Sequence, residues 1–186
     1  LSAVQPGETE DDEPEQIKLW SDSRMTSKQL AEADMCTEYL IEGILVAGQP
    51  MVIGGPAKGL KTSLLIDLVC SLATGTPFMG KFDCPRPCRV GIMSGESGGS
   101  KIRSTAMRVM EKRGLLLEGE ENISWYFDVP RVGVEPDMVA LRREIEEHGL
   151  EVIAIDPAYL ALLNGAFAKT NAGNVFEMGQ VLMRLT

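Results

Sequence analysis

The sequence predicts an α/β fold in which a largely parallel sheet is flanked by helices. Apolar segments of strand length alternate along the chain with longer segments whose apolar residues recur at helical spacing. The strand-length segments are continuous apolar runs, which is typical of strands covered on both faces, as the strands of parallel sheets are. These two observations carry the prediction, and the individual elements follow from them.

Four apolar runs predict strands, at residues 50–55, 88–95, 122–129 and 151–156. Four segments with helical spacing predict helices, at residues 60–75, 100–114, 136–149 and 175–186. Gly75 supplies a C-terminal stop, and the turn-rich stretch "TPFMGKFDCPRP" after it suits a short hairpin or loop. No strand follows the last helix, so we expect a sheet that is truncated at its C-terminal end.

The composition suits one packed domain with a short acidic extension. The chain has 186 residues, 44% of them hydrophobic, and a formal net charge of -9. Residues 1–16 contain acidic residues and no basic one, so we expect them to form a disordered tail. The remainder is nearly neutral, which argues against a protein that coats nucleic acid through bulk positive charge.

We predict a lead-in segment at residues 17–48 and the main domain at residues 49–186. Within the lead-in segment, Thr26 or Ser27 is expected to cap a short helix. No stretch is apolar for long enough to span a membrane, and the N-terminus lacks the pattern of a signal peptide. We therefore expect a cytoplasmic protein. The chain begins at Leu1 rather than at a methionine, and we expect it to be a fragment of a longer chain.

Four cysteines raise the possibility of a metal site, which their spacing disfavours. Cys84 and Cys88 stand in "CPRPC", a poor match to a zinc knuckle, and the sole histidine, His148, is distant in sequence. We expect Cys70 to be a small core residue on a helix. We expect the other three to be free thiols in a reducing compartment.

The stretch "GGPAKGLKTS", residues 54–63, nearly matches a phosphate-binding loop. Such a loop binds phosphate when it joins a buried strand to a helix N-terminus, because backbone N–H groups and the helix dipole then face the anion. Lys61 would reach the terminal phosphates, and Thr62 would place its hydroxyl on Mg²⁺. The predicted nucleotide-binding residues are Gly55, Pro56, Ala57, Lys58, Gly59, Leu60, Lys61, Thr62 and Ser63. The alternative is a strand-to-helix turn with no ligand.

Leu60 stands where the usual pattern has a glycine, directly before the lysine. A leucine takes a positive φ only at a cost. We therefore expect either a negative φ at Leu60 or a shift of the unusual dihedral to Gly59, with nucleotide binding retained but weakened.

Two carboxylates follow buried strands at the edge where an α/β sheet places its functional groups. Asp156 ends "EVIAID" and can hold the Mg²⁺ water shell opposite Thr62; the alternative is a strand end before an Asp-Pro turn. Glu96, in "MSGESGG", can position or activate a water near the γ-phosphate. Its alternative role is to favour the start of the following helix through its charge.

These three motifs, in this order, resemble the RecA-like ATPases over about residues 38–186. Within that group they are most similar to bacterial AAA-family proteins that resemble hexameric replicative helicases of the RepA and DnaB types; "DLVCSLATGTPFMGKF" adds to the likeness. The resemblance implies a RecA-like core that binds ATP and Mg²⁺. In it, Lys61 and Glu96 are the catalytic residues, and Thr62 and Asp156 are associated with the metal.

The resemblance also implies a homo-oligomeric ring, a hexamer when complete, that acts on single-stranded DNA. The segment "NGAFAKTNAGN" falls where RecA-like proteins carry a DNA-contacting loop, with Lys169 and Asn171 as candidate contacts; a flexible surface loop is equally compatible. The γ-phosphate sensor and the finger that reaches a neighbouring subunit cannot be assigned to any residue of this chain.

Three functions therefore compete on the sequence. The first is an ATPase core of a helicase-type or recombinase-type assembly, motivated by Lys61, Thr62, Glu96 and Asp156. The second is a nucleotide-binding regulatory or assembly module with weak or no hydrolysis, motivated by Leu60. The third is an α/β domain without a ligand, which the ordered motifs disfavour.

Overall fold

A computed structural model describes residues 20–56 and 58–163 of the chain. The chain divides into two compact units, residues 1–36 and residues 37–186. The predicted acidic tail at residues 1–16 and the predicted helix at residues 175–186 lie outside the described residues.

The first unit contains a 3₁₀ turn at Trp20–Ser23 and helix α1 at Ser27–Glu32. Thr26 caps α1: its side chain accepts a hydrogen bond from the backbone N–H of Gln29, and Gln29 Oε1 accepts one from the backbone N–H of Thr26. This reciprocal pair is a capping box, so the predicted cap at Thr26 is confirmed.

The second unit opens with a hairpin that the sequence analysis did not predict. Strands β1 (Tyr39–Ile41) and β2 (Leu45–Val46) pair antiparallel, and Gly43 in the turn has a φ of 69°. Gly43 was a usable turn signal in the sequence. A glycine between two short apolar runs is typical of a hairpin, because glycine adopts the left-handed conformation readily.

The main sheet consists of three parallel strands in the order β4-β3-β5, which confirms the predicted α/β class. The strands are β3 (Val90–Ser94), β4 (Ile123–Tyr126) and β5 (Val152–Asp156). All five residues of β3, the central strand, are buried, which explains its continuous apolar run. The ladder pairs Ser94, the last residue of β3, with Asp156, the last residue of β5.

Helices lie on both faces of this sheet. The larger core packs α2 (Lys61–Thr74) and α3 (Gly99–Lys112) against one face, through side chains such as Val90 and Ile92 of β3. A smaller apolar cluster on the other face includes Met138 of α4 (Glu135–His148), Ile155 of β5, and Ala161 and Leu162 of the final described helix, α5 (Ala158–Leu163). The predicted helices at 60–75, 100–114 and 136–149 are thus confirmed within one or two residues at each end.

The predicted strand at residues 50–55 is wrong for the described structure, in which residues 51–56 have no regular secondary structure. Met51 and Ile53 pack partly against the core while Val52 is 74% exposed, so the alternation of a strand is present. No hydrogen-bonding neighbour for this segment is found among the described strands, and a strand is defined by its partner.

The strand predicted at residues 122–129 is shorter than expected. It ends at Tyr126, with Trp125 and Tyr126 half-buried, and Phe127 is 61% exposed rather than buried. The turn-rich stretch after α2 forms the predicted loop, which an isolated bridge between Phe78 and Phe82 closes. None of the helices within the described part of the chain is long and apolar enough to cross a membrane.

Candidate functional site

The loop between residue 54 and α2 ends in an unusual backbone conformation. Leu60 has φ 59° and ψ 17°, and Lys58, two residues earlier, has φ 61°. The expectation of a negative φ at Leu60, or of a shift of the strain to Gly59, is therefore wrong: Leu60 itself occupies the left-handed region. The physical reason is the tight turn before α2, in which the Gly59 N–H bonds to the Pro56 oxygen and Lys58 is also left-handed. This turn sets the dihedral at residue 60 whatever side chain stands there.

Gly59 is needed for a different reason, which is space. A Cβ at this position would lie 2.9 Å from the backbone oxygen of Pro56, to which the Gly59 N–H also donates a hydrogen bond. Such a contact is too short for a real side chain, so only glycine allows this tight turn. The loop therefore has a close backbone curvature of the kind that cradles an anion.

The N-terminus of α2 has no side-chain cap, because Leu60 provides no hydrogen-bond acceptor. The first N–H groups of a helix have no partner within the helix, and the helix dipole places partial positive charge there. The uncapped end of α2 is therefore available to an anion. Leu60 itself is 75% exposed and does not bury this end.

Lys61 folds back over the loop that precedes it. Its Nζ donates to the backbone oxygen of Gly55 at 3.1 Å and to that of Pro56 at 2.8 Å. Two neutral carbonyls hold the ammonium at the mouth of the loop, and both are weaker partners than a phosphate oxygen would be.

The strongest link between the predicted motifs joins Thr62 to Asp156. The Thr62 hydroxyl donates to Asp156 Oδ2 at 2.7 Å, although the residues are far apart in sequence. The bond places the first turn of α2 directly against the end of β5. A hydroxyl and a carboxylate oxygen side by side are hard oxygen ligands of the kind that Mg²⁺ prefers, so the donor set fits the predicted metal.

Glu96 lies on the exposed loop between β3 and α3, and this loop is tied to Asp156. The N–H of Gly95 donates to the backbone oxygen of Asp156 at 3.0 Å, so the residue preceding Glu96 is fixed at the same sheet edge. An added Cβ at Gly95 would come within 3.1 Å of Leu160 and 3.3 Å of Val129, so a side chain would be crowded there. Glu96 thus extends into solvent from an anchored position.

The structure therefore brings Lys61, Thr62 and Asp156 together, with Glu96 on a loop anchored beside them. Pro56, Lys58 and Ser63 lie on the same loop or in the first turn of α2. Ala57 lies outside the described residues, as do Lys169 and Asn171 of the predicted DNA loop.

Sequence reasoning did not single out Ser94, the residue that precedes Gly95. Ser94 is 2% exposed at the end of β3, beside Asp156 in the ladder. A polar residue at the end of an otherwise apolar strand, two positions before Glu96, was the available signal.

Cys70 is buried on α2, as predicted. All four are free; Cys70, Cys84 and Cys88 are buried, and Cys36 is exposed. Burial raises the pKa of the Cys70 thiol to about 12 and that of Cys88 to about 11, so both stay protonated at neutral pH. In the described part of the chain, the one close group of potential metal ligands contains no cysteine and consists of Glu144, Glu147 and His148 on α4.

Comparison with known proteins gives one match. The model of a family described as AAA domain matches residues 13–186, nearly the whole chain. No curated protein and no solved structure matches the chain significantly.

Proposed function

The chain belongs to the AAA domain family of P-loop ATPases, and on that premise we propose that it binds ATP with Mg²⁺ at the start of α2 and hydrolyses it. One observation carries the proposal. The 2.7 Å bond from Thr62 to Asp156 joins the predicted phosphate loop to the predicted metal carboxylate, two motifs that are distant in sequence.

Binding of the triphosphate relies on the loop and the helix end. The tight turn at Gly59 and the uncapped N–H groups of α2 receive phosphate oxygens. Lys61 exchanges the carbonyls of Gly55 and Pro56 for phosphate oxygens, which are stronger partners for an ammonium. The lysine thereby neutralises charge where it accumulates during phosphoryl transfer.

Thr62 and Asp156 hold the metal, directly or through its water shell. A bound Mg²⁺ neutralises charge on the terminal phosphates. Glu96, on its anchored loop, orients the attacking water and accepts its proton. Its exposed position leaves room for that water beside the loop.

The test is calorimetric titration with Mg·ATP together with a turnover assay. Lys61→Ala should lose saturable binding, whereas Glu96→Gln should keep binding and lose turnover by about a hundredfold or more. Lys81→Ala, which removes an exposed lysine remote in sequence from the loop, should match the wild type in both assays. If the wild type and Lys61→Ala bind Mg·ATP equally, the proposal is wrong.

We further propose that the ATPase works in a ring of identical subunits on single-stranded DNA, in the cytoplasm. The order of the three motifs supports this, through their resemblance to replicative helicases. We expect single-stranded DNA to stimulate turnover more than duplex DNA, and Lys169→Ala to reduce the stimulation but not the basal rate. If single-stranded DNA does not stimulate turnover and Mg·ATP does not increase the mass of the protein in solution, the proposed ring and its DNA substrate are contradicted. The proposed ATP site would be unaffected by that result.

A nucleotide-binding assembly module with little hydrolysis is the second candidate. The observation that favours it is the left-handed Leu60, which holds the loop in a strained conformation before any ligand arrives. If Glu96→Gln and the wild type bind Mg·ATP equally and neither turns it over, this second function replaces the first.

A further inference from the structure

Ser94 carries a buried hydroxyl that has no use within the fold. The side chain is 2% exposed, and Oγ has no hydrogen-bond partner among the described residues. A buried polar group without a partner destabilises a protein, because it gives up its bonds to water and gains none. Such a group in a native structure therefore calls for an explanation.

The other strongly buried serine on this face of the sheet provides a comparison. Ser71, on α2, is fully buried, and its Oγ accepts a 2.8 Å hydrogen bond from Arg113 Nη2. The fold therefore provides a hydrogen-bond partner for a buried serine hydroxyl where that hydroxyl helps to join two elements. Ser94 is the buried side chain that the described residues leave unsatisfied.

The position of Ser94 points to the site at the sheet edge. Side chains alternate along a strand, so Ser94 shares a face with Val90 and Ile92, which pack in the core beneath α2. Its ladder partner is Asp156, whose Oδ2 accepts the bond from Thr62 of α2. Ser94, Asp156 and Thr62 therefore lie on the same side of the sheet, at the carboxyl ends of neighbouring strands.

We propose that Ser94 is a positioning residue for the metal: its hydroxyl binds a water molecule of the shell of the Mg²⁺ that Thr62 and Asp156 hold. The inference rests on the proposed ATP site and deepens it. Mg²⁺ gives up its waters reluctantly and is usually held through several of them, so a site needs groups that hydrogen-bond those waters. Ser94 is unsatisfied without nucleotide because its partner arrives with the metal.

The test removes only the hydroxyl, in Ser94→Ala, with Ser71→Ala as the matched control. Two quantities are measured on the full chain: the thermal unfolding midpoint without nucleotide, and the affinity for ATP in Mg²⁺ and in EDTA. Ser94→Ala should unfold at a higher temperature than the wild type, because an unsatisfied polar group is gone. Ser71→Ala should unfold at a lower temperature, because it loses the bond from Arg113.

The affinities separate a metal role from a packing role. Ser94→Ala should weaken binding of ATP by about threefold to tenfold in Mg²⁺, the effect of one hydrogen bond, and leave the affinity in EDTA unchanged. Ser71→Ala should leave both affinities unchanged.

A lower unfolding midpoint for Ser94→Ala would overturn the inference, since the hydroxyl would then have a structural partner. Unchanged affinity in Mg²⁺, or an equal loss in Mg²⁺ and EDTA, would overturn it while leaving the ATP site intact. If the wild type binds ATP in neither condition, the proposed function fails, and the role of Ser94 fails with it.

Discussion

Helix α2 begins and ends beside a residue in the left-handed conformation, and the two ends accommodate it differently. At the C-terminal end the residue is Gly75, with φ 67°, which takes this conformation without strain. At the N-terminal end it is Leu60, with φ 59°, where a side chain costs about 1–2 kcal/mol. The strained residue thus stands at the proposed phosphate site, and the relaxed one stands at the packed end.

The packing around α2 follows the same division. From Asp67 onward, the packed half of α2 is held by Arg113, which is only 11% exposed. Arg113 donates to Asp67 and Ser71 of the helix and to Thr76 just beyond its end. The first turn of α2 is joined to the end of β5 by the Thr62–Asp156 bond, and Lys61 donates hydrogen bonds only to the loop carbonyls of Gly55 and Pro56. Backbone strain persists where surrounding structure enforces it, so the packed half makes the strained turn possible.

The largest expected effect comes from breaking the packed half. Arg113→Ala should lower the free energy of unfolding by about 3 kcal/mol, because Asp67 Oδ1 loses its paired charge and Ser71 Oγ loses its donor. Chemical denaturation measures the change. Arg108→Ala is the control: Arg108 is exposed on α3, the helix that Arg113 directly follows, and its loss should change stability by less than about 0.5 kcal/mol. Similar losses in both variants would show that the packed half does not depend on Arg113.

A smaller loss of stability is expected when a side chain is added at Gly75, the unstrained left-handed residue at the C-terminal end of α2. Gly75→Ala should cost about 2 kcal/mol, since alanine disfavours the left-handed region and its Cβ would lie 3.2 Å from Pro87 Cδ. Gly114→Ala has the matching φ of 71° with open space around it, and should cost about 1 kcal/mol. Equal losses in denaturation curves would mean that crowding against Pro87 contributes nothing.

The contrast between the two ends also shows what a sequence can predict. The stop at Gly75 and the meeting of Thr62 with Asp156 followed from local patterns: glycine after an amphipathic run, and polar residues at the ends of buried strands. Local pattern could not establish whether residues 50–55 form a strand. A strand needs a hydrogen-bonding partner, and the sequence of one segment does not identify that partner.

Two further features depend on contacts that spacing alone cannot reveal. Arg113 and Asp67 are distant in sequence, and each reads as an ordinary charge on a helix until the fold joins them. The dihedral of Leu60 was predicted wrongly because it followed residue preference, whereas the tight turn between Pro56 and Lys61 imposes the left-handed conformation at this position. Local preference failed at the candidate site and succeeded at the packed end.

The smallest predicted effect tests the strain at Leu60 directly. Leu60→Gly should raise the free energy of unfolding by about 0.5 kcal/mol, because relief of about 1–2 kcal/mol of strain exceeds the added flexibility of glycine in the unfolded chain. Little burial is lost, since the side chain is 75% exposed. Leu116→Gly is the matched control: this leucine is 77% exposed with φ -107°, so glycine relieves no strain there and should destabilise the protein by about 0.5–1 kcal/mol. If Leu60→Gly raises the free energy of unfolding and Leu116→Gly lowers it in paired denaturation curves, the turn before Lys61 is strained. If both variants lower it equally, the two ends of α2 do not differ in strain.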